Sequence, residues 1–264
     1  MSSETNSHSM PLRILAIHAH PDDLELFAGA TLALLAQAGH HLTLVTLANG
    51  ECGSTEYGAE ELGLMRRAEA AAAARLIGAE YCWGGFPDLN IFLDDASRRR
   101  VTSLLRRFRP DMILTASPAD YHCDHEATSR LVQDACFAAP VPNYDTSAFD
   151  SAPATERIPH LYFVDPAAGI DREHRPILPQ FLIDIESHLG IKRDALACHA
   201  SQRSWLKRQH GMEDYLETMQ QWARARGALA GLGAAEGFRQ YAGHPFPETP
   251  LLQDLLKDRL HELR

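Results

Sequence analysis

The sequence predicts an α/β fold: a Rossmann-like, mainly parallel sheet flanked by helices, with a small C-terminal elaboration. Two observations carry this. Short apolar runs rich in branched residues alternate with longer helical patterns through the first half of the chain, the order that builds a parallel sheet with crossover helices. Two clusters of histidine and aspartate, His18–Asp23 and Asp120–His125, each come after one of those apolar runs. Ligands in such sheets bind beyond the carboxyl ends of the strands.

Taken in order, the first strand is expected at Leu12–Ile17 and its helix at Leu24–Ala38, closed by Gly39. Strand Leu42–Leu47 leads into a Gly-rich loop, Asn49–Gly58. Helix Glu60–Ile77 is rich in alanine, with Gly78 just past its end as a C-cap. A third strand is expected at Glu80–Trp83, then helix Asp94–Phe108, stopped by Pro110. Strand Met112–Thr115 and helix Glu126–Ala138 complete the alternating part. The stretch Ala139–Pro159 is rich in Pro, Ala, Asp and Ser, and reads as a long loop, either a lid or an oligomer contact. Strands at Leu161–Val164 and Gln180–Asp184, a helix over Ile185–Ala200 and another over Glu213–Leu229 follow. From Gly243 the chain carries three prolines and then an amphipathic piece, Leu251–Leu263. Residues 1–10 are polar and are expected to be a disordered tail. Residues 11–242 form one domain in this reading. Residues 243–264 are an extension that packs on the domain or on a neighbouring subunit.

A chain of 264 residues, 45% of them apolar, is enough for one large α/β domain. The formal net charge of -10 and the absence of a basic stripe exclude nucleic acid as a partner. The arginines at 98–100, 106, 107 and 109 read as the solvated face of one helix. The five cysteines are odd in number and show no CxxC spacing, which suits free thiols in a reducing compartment. The first ten residues have no apolar h-region, and no apolar run approaches the roughly 18 residues that span a bilayer. A cytoplasmic protein with no membrane partner is therefore expected.

The run His18-Ala19-His20-Pro21-Asp22-Asp23 lies in a strand-to-helix turn. Such a turn in a nucleotide-binding fold offers glycines and backbone N–H groups to a phosphate. Asp22 and Asp23 would repel a phosphate and attract a divalent cation. In the second cluster His122 and His125 are three residues apart, so both project to one side if a helix begins there. Two strand ends thus present His20, Asp22, Asp23, His122 and His125 to one crevice. A catalytic zinc site takes about three protein ligands from His and Asp/Glu and keeps an open position. The set supplies these and adds a spare carboxylate and a spare imidazole, one to act as base and one as acid or oxyanion stabiliser. Structural readings stand beside these. Asp22 or Asp23 can simply cap a helix. Arg66 and Glu69 make an i,i+3 surface pair, and Asn49-Gly50 is a turn former. His18 shares a strand face with His20 and is expected to be packed; Trp205 and Trp222 are expected in the core.

In these motifs the chain resembles the PIG-L/LmbE family of zinc-dependent de-N-acetylases. The matching pieces are AHPDD (Ala19–Asp23) with Glu25 and Gly29 after it, NGECGS (Asn49–Ser54), Arg66-x-x-Glu69, the HxDH of His122–His125, CHASQ (Cys198–Gln202) and AEGF (Ala235–Phe238). They occur in family order over roughly residues 12 to 240. The resemblance implies that His20, Asp23 and His125 ligate zinc and that Asp22 is the general base. His122 would stabilise the oxyanion or protonate the leaving amine. Arg66 would hold sugar hydroxyls, with Asn49 as a further substrate contact, and Asp124 would orient a histidine ring from outside the ligand set. Two positions depart from the family. Cys123 stands where proline is common, and its thiol is either a soft extra ligand or points away. Asp120 stands where some members have tyrosine, and that role is not transferred to the adjacent Tyr121.

The implied reaction is metal-dependent hydrolysis of an N-acetyl group on a small, N-acetylglucosamine-containing substrate, releasing acetate and a free amine. Zn2+ is the implied cofactor, and Fe2+ also suits a His/Asp/His set. The resemblance further implies a homo-oligomer. Two alternatives remain at this stage. One is a non-haem iron enzyme using the same triad, against which the three-residue spacing and the βαβ pattern count. The other is a non-catalytic metal- or sugar-binding protein, which has no need of Asp22 and His122 beyond the ligands.

Overall fold

The computed structural model describes residues 10–209 and 214–263. Its elements in chain order are β1 (Arg13–His18), α1 (Asp23–Gln37), β2 (His41–Ala48), α2 (Ala59–Ile77), β3 (Glu80–Phe86), α3 (Asp95–Phe108), β4 (Met112–Thr115) and α4 (Cys123–Ala138), followed by β5 (His160–Val164), β6 (Phe181–Asp184), α5 (Leu189–Ala197), α6 (Ala200–Gln209), α7 (Tyr215–Ala228), β7 (Ala235–Gln240), α8 (Leu251–Leu255) and β8 (Leu260–Glu262). The strands form one sheet in the order β3-β2-β1-β4-β5-β7-β6-β8. Pairing is parallel from β3 to β5 and antiparallel from β5 to β8. The expected Rossmann-like α/β fold with a C-terminal elaboration is therefore present.

The period-2 alternation of side chains splits the core into two layers. Ile14 and Ala16 of β1 face α1, α2, α5 and α7. Leu15 and Ile17 face α3 and α4. With helices on both sides, β1 is buried on both faces, which is why it reads as an unbroken apolar run. β1 pairs with β2 on one edge and β4 on the other. The crossovers therefore run in opposite directions from β1, and a crevice opens where its carboxyl end meets that of β4.

The structure departs from the expectation at several segments, and Ala235–Gln240, for which the sequence reading gave no strand, forms β7. The helix over Ile185–Ala200 is broken: a short 3-10 turn, Glu186–His188, precedes α5, and the chain turns at Cys198-His199 into α6. Glu69 of α2 causes the turn, accepting from the Ser201 backbone N–H at 2.9 Å and from its hydroxyl at 2.6 Å. The Glu213 end of the next expected helix lies outside the described residues, and α7 starts at Tyr215, capped by the Asp214 carboxylate. The segment Leu251–Leu263 becomes α8, a 3-10 turn and the edge strand β8, which pairs with β6. Within the chain this extension contacts the preceding residues, with His160 Nε2 2.7 Å from the Thr249 hydroxyl.

Of the two readings of the stretch Ala139–Pro159, the lid is not what the structure shows, since none of its residues lines the cavity over the His/Asp cluster. Arg106 of α3 pins it through bonds to the carbonyls of Ala139 (3.1 Å) and Val141 (2.7 Å) and to the Thr146 hydroxyl (3.2 Å). The strap that does cover the crevice is residues 165–179. It is held at both ends by Arg226, which reaches Asp165 at 2.6 Å and the Ile177 carbonyl at 2.8 Å. The expected tail falls mostly outside the described residues. Among those described, no helix is long and apolar enough to cross a membrane.

Candidate metal centre and active site

After β1 the chain must reverse within four residues to start α1. Asp22 takes up the turn with φ 103. That left-handed conformation is uncommon for a residue with a Cβ and costs on the order of 1–3 kcal/mol. The turn is closed by the Asp23 carboxylate, which accepts from the His20 backbone N–H at 2.7 Å. The second loop is fixed by the helix it begins. α4 starts at Cys123, earlier than expected, because His122 is its N-cap: its Nδ1 accepts from the Asp124 N–H at 3.1 Å.

These turns bring three ligand atoms together. His20 Nδ1 and His125 Nε2 are 3.3 Å apart, and each is 3.4 Å from Asp23 Oδ2. A tetrahedral ion with bonds of about 2.0–2.1 Å separates its ligands by about 3.3–3.4 Å. The spacing of the three atoms fits such an ion, with the fourth position open, and two nitrogens and one oxygen suit zinc or iron(II). The other ring nitrogens of the two histidines face carboxylates. His20 Nε2 lies 3.1 Å from Asp88 Oδ1 and 3.2 Å from Asp124 Oδ2. His125 Nδ1 lies 3.1 Å from Asp120 Oδ1, and Asp23 Oδ2, itself a corner of the triangle, also lies 2.7 Å from His18 Nδ1. Carboxylates behind ligand imidazoles set which ring nitrogen is free to ligate.

The electrostatics agree with a cation site. Burial alone would push Asp23 up, but His125 and His18 hold it well below the usual carboxylate range. Burial alone would push His125 down, but Asp23 and Asp120 raise it to about 9. His20 is raised in the same way against its burial, by Asp124, Asp23 and Asp88. Four carboxylates thus surround two imidazoles and favour positive charge between them.

Two groups stand beside this set. Asp22 is pushed up to about 6 by burial and then by Asp23, opposed by His199, Arg66 and the Tyr215 hydroxyl. Tyr215 donates to Asp22 Oδ2 at 2.7 Å. His122 stacks on His125 with ring centroids 4.9 Å apart. Burial and the neighbouring His20 and His125 lower its proton affinity. With Nδ1 occupied as an acceptor, the neutral ring carries its proton on Nε2 and can only donate there.

A cavity of about 520 Å³ opens over the cluster, lined by His20, Asp22, Asp23, His122, His125 and Arg66 on the sheet side and by Trp205, Trp222 and the strap opposite. Arg66 is buried; its Nη1 donates to the Gly50 carbonyl at 2.6 Å and its Nη2 has no protein partner. Asn49 does not line the cavity: its amide donates to Glu51 at 2.8 Å behind the wall. Cys123 is exposed, its sulfur 3.8 Å from Asp124 Oδ1, and all five cysteines are free. Of the two tryptophans expected in the core, Trp222 packs against it, and both line the cavity. Sequence reasoning missed Asp88, Asp120 as the partner of His125, Tyr215 and the strap. Asp88 follows the end of β3, so strand-end position alone marked it. For Tyr215 the sequence holds no signal.

A Rossmann-like sheet with a His/Asp/His cluster at its switch point, flanked by a second acid and a spare imidazole, defines a metal-dependent hydrolase. Comparison with known proteins narrows the class. Residues 15–136 match the PIG-L family model, described as GlcNAc-PI de-N-acetylase. The 1D-myo-inositol 2-acetamido-2-deoxy-alpha-D-glucopyranoside deacetylase of Streptomyces griseus is 30% identical over 72% of this chain and 74% of its own length. The diacetylchitobiose deacetylase of Thermococcus kodakarensis is 26% identical over 88% of this chain and 84% of its own. Among solved structures, the 4-carboxy-2-hydroxymuconate hydratase from Pseudomonas putida KT2440 superposes with a TM-score of 0.72 at 26% identity, over 89% of this chain and 97% of that one. The chain belongs to the PIG-L family.

Proposed function

We propose that this chain removes the N-acetyl group from a small, N-acetylglucosamine-containing molecule, giving acetate and a free amine, with zinc held by His20, Asp23 and His125. The observation that carries the reading is the pair of groups beside the ligands. Asp22 and His122 face the same cavity, and neither belongs to the 3.3–3.4 Å ligand triangle. The names of the deacetylase relatives point the same way. When bound, zinc supplies a water of lowered pKa and polarises the acetyl carbonyl.

The chain's own residues do the rest. Tyr215 holds Asp22 Oδ2, which leaves Oδ1 to take the proton of the attacking water. His122 donates from Nε2 to the carbonyl oxygen as it gains charge. The new C–O bond forms, the C–N bond breaks, and the amine leaves with the proton that Asp22 accepted. Asp120 and Asp124, with Asp88, keep the ligand rings aligned. Arg66, which lines the cavity, would hold a sugar hydroxyl. Asn49 acts from behind the wall, shaping the loop that presents Gly50 to Arg66. Iron(II) fits the same donors.

A second reading is hydration of an unsaturated tricarboxylic acid, favoured by the 4-carboxy-2-hydroxymuconate hydratase among the similar structures. Asp22→Asn separates an enzyme from a metal holder. Turnover on acetylated aminosugars should fall by about 10²–10⁴-fold with metal content unchanged. A variant as active as the parent would remove Asp22 from the chemistry.

A further inference from the structure

Leu89 is out of place by the rules of folding. It has φ 56, a left-handed conformation in which a bulky side chain is an outlier. Its side chain is not compensated by burial, since the residue is 56% exposed. Two carboxylates enforce the conformation: its N–H donates to Asp124 Oδ2 at 2.9 Å and to Asp88 Oδ1 at 3.0 Å. These are the carboxylates that hold His20 Nε2. The position of Leu89 is therefore tied to the metal centre, and its side chain lines the cavity.

It does not stand alone. Tyr121, 61% exposed, also lines the cavity, its ring edge-on to both His122 and His125 at 5.6 Å. Phe92 and Leu93, 59% and 57% exposed, follow Leu89 in the same loop. The groups that suit an acetylated aminosugar (Asp22, His122 and Arg66) lie among the buried or half-buried residues of the wall. The exposed apolar residues come after them toward solvent. A sugar alone would leave this apolar edge wet. A subunit contact would not need a leucine strained against the carboxylates of the metal centre.

Resting on the deacetylase reading, we propose that Leu89 determines specificity: with Tyr121 it forms an apolar lip that binds an apolar aglycone, aryl or alkyl, attached to the aminosugar. Asparagine and glycine adopt this backbone conformation more readily than leucine. Leucine at this position serves the ligand at the expense of the fold.

The test uses the zinc-loaded full chain carrying Asp22→Asn, so that complexes accumulate, and the methyl and 4-nitrophenyl glycosides of N-acetylglucosamine. Calorimetry should give about tenfold tighter binding of the aryl glycoside. Adding Leu89→Asn should cut that preference to about twofold or less while the melting temperature holds or rises. Tyr121→Ser is the second variant, with the same loss of preference expected. Equal affinities for the two glycosides, or a preference unchanged in both variants, overturn the lip. So does a fall in melting temperature with equal loss of both ligands, which would make Leu89 a packing residue. Binding of the methyl glycoside with no aryl preference sinks the lip and leaves the deacetylase reading standing. Binding of neither removes both.

Discussion

Glu236 is a buried residue through which the second half of the chain holds the helix that begins at the metal loop. It lies buried on β7 and accepts from the backbone N–H groups of Ala30 (3.1 Å) and Thr31 (2.8 Å) in α1, and from Lys192 Nζ of α5 at 2.5 Å. Lys192 and Glu236 are 2% and 3% exposed. Glu236→Ala leaves a buried ammonium without a counter-charge and two backbone donors without an acceptor. Removing one partner of a buried pair costs roughly 3–5 kcal/mol, and an unsatisfied buried donor about 1–3 kcal/mol before relaxation. A net loss of about 4–5 kcal/mol is expected, a fall on the order of 10 °C in Tm for a chain of this size. Lys192→Met should cost less, about 1–3 kcal/mol, because the carboxylate keeps its two backbone donors. The double variant Lys192→Met/Glu236→Gln removes both charges and keeps one acceptor, so it should be more stable than Glu236→Ala alone. Urea unfolding of metal-free protein at pH 7, followed by circular dichroism, measures all three. A loss under about 1 kcal/mol for Glu236→Ala, or a double variant no better than that single one, would refute the reasoning.

Three further outcomes follow from the site. Asp120→Asn removes the carboxylate behind His125 and should weaken metal binding by roughly 10–100-fold, read by competition with a chelator; unchanged affinity would detach Asp120 from the ligand. Arg66→Lys loses the planar fork that reaches Gly50 and the cavity together, so KM should rise about tenfold with a smaller change in kcat; an unchanged KM would place the substrate elsewhere. His199 is buried 3.5 Å from Glu25. Burial opposes its protonation, but Glu25, with Asp22 and Glu69, outweighs this and raises its proton affinity. A raised histidine adds stability that is fully present below the unfolded value of about 6.5 and is lost as pH rises through the folded value. The stability gap between parent and His199→Gln should therefore be widest near pH 6 and shrink toward pH 9. A gap that widens with pH would contradict this sign.

The first half of the fold was legible because local signals and tertiary outcome agree there. β4 is the run Met112–Thr115 as read, and α2 ends at the glycine that marked it. The second half was less legible because its elements are made by distant partners. Nothing local in Cys198-His199 breaks a helix; Glu69, far off in sequence, does. Ala235–Gln240 lacks an apolar alternation and carries an interior glycine, yet it is a central strand because β5 and β6 flank it and Gly237 leaves room beside Asp165. The long Pro-rich loop reads from sequence as a lid or an oligomer contact, because the Arg106 bonds that pin it away from the cavity come from a different element. In the site, the five residues at the two strand ends converge, since both motifs follow strands that are neighbours. Asp88 was marked only by its place after β3 and Tyr215 by nothing, because their roles exist only through contacts with His20 and Asp22 across the fold.

Acetate release from N-acetylglucosamine conjugates by metal-stripped protein, with and without added zinc, tests the central claim most directly. The expected result is no release from the stripped protein and restored release from at least one conjugate when zinc is returned. Zinc-loaded protein that releases no acetate but adds water to an unsaturated tricarboxylic acid such as 4-carboxy-2-hydroxymuconate would contradict the deacetylase reading and assign the same His20, Asp23 and His125 cluster to a hydratase.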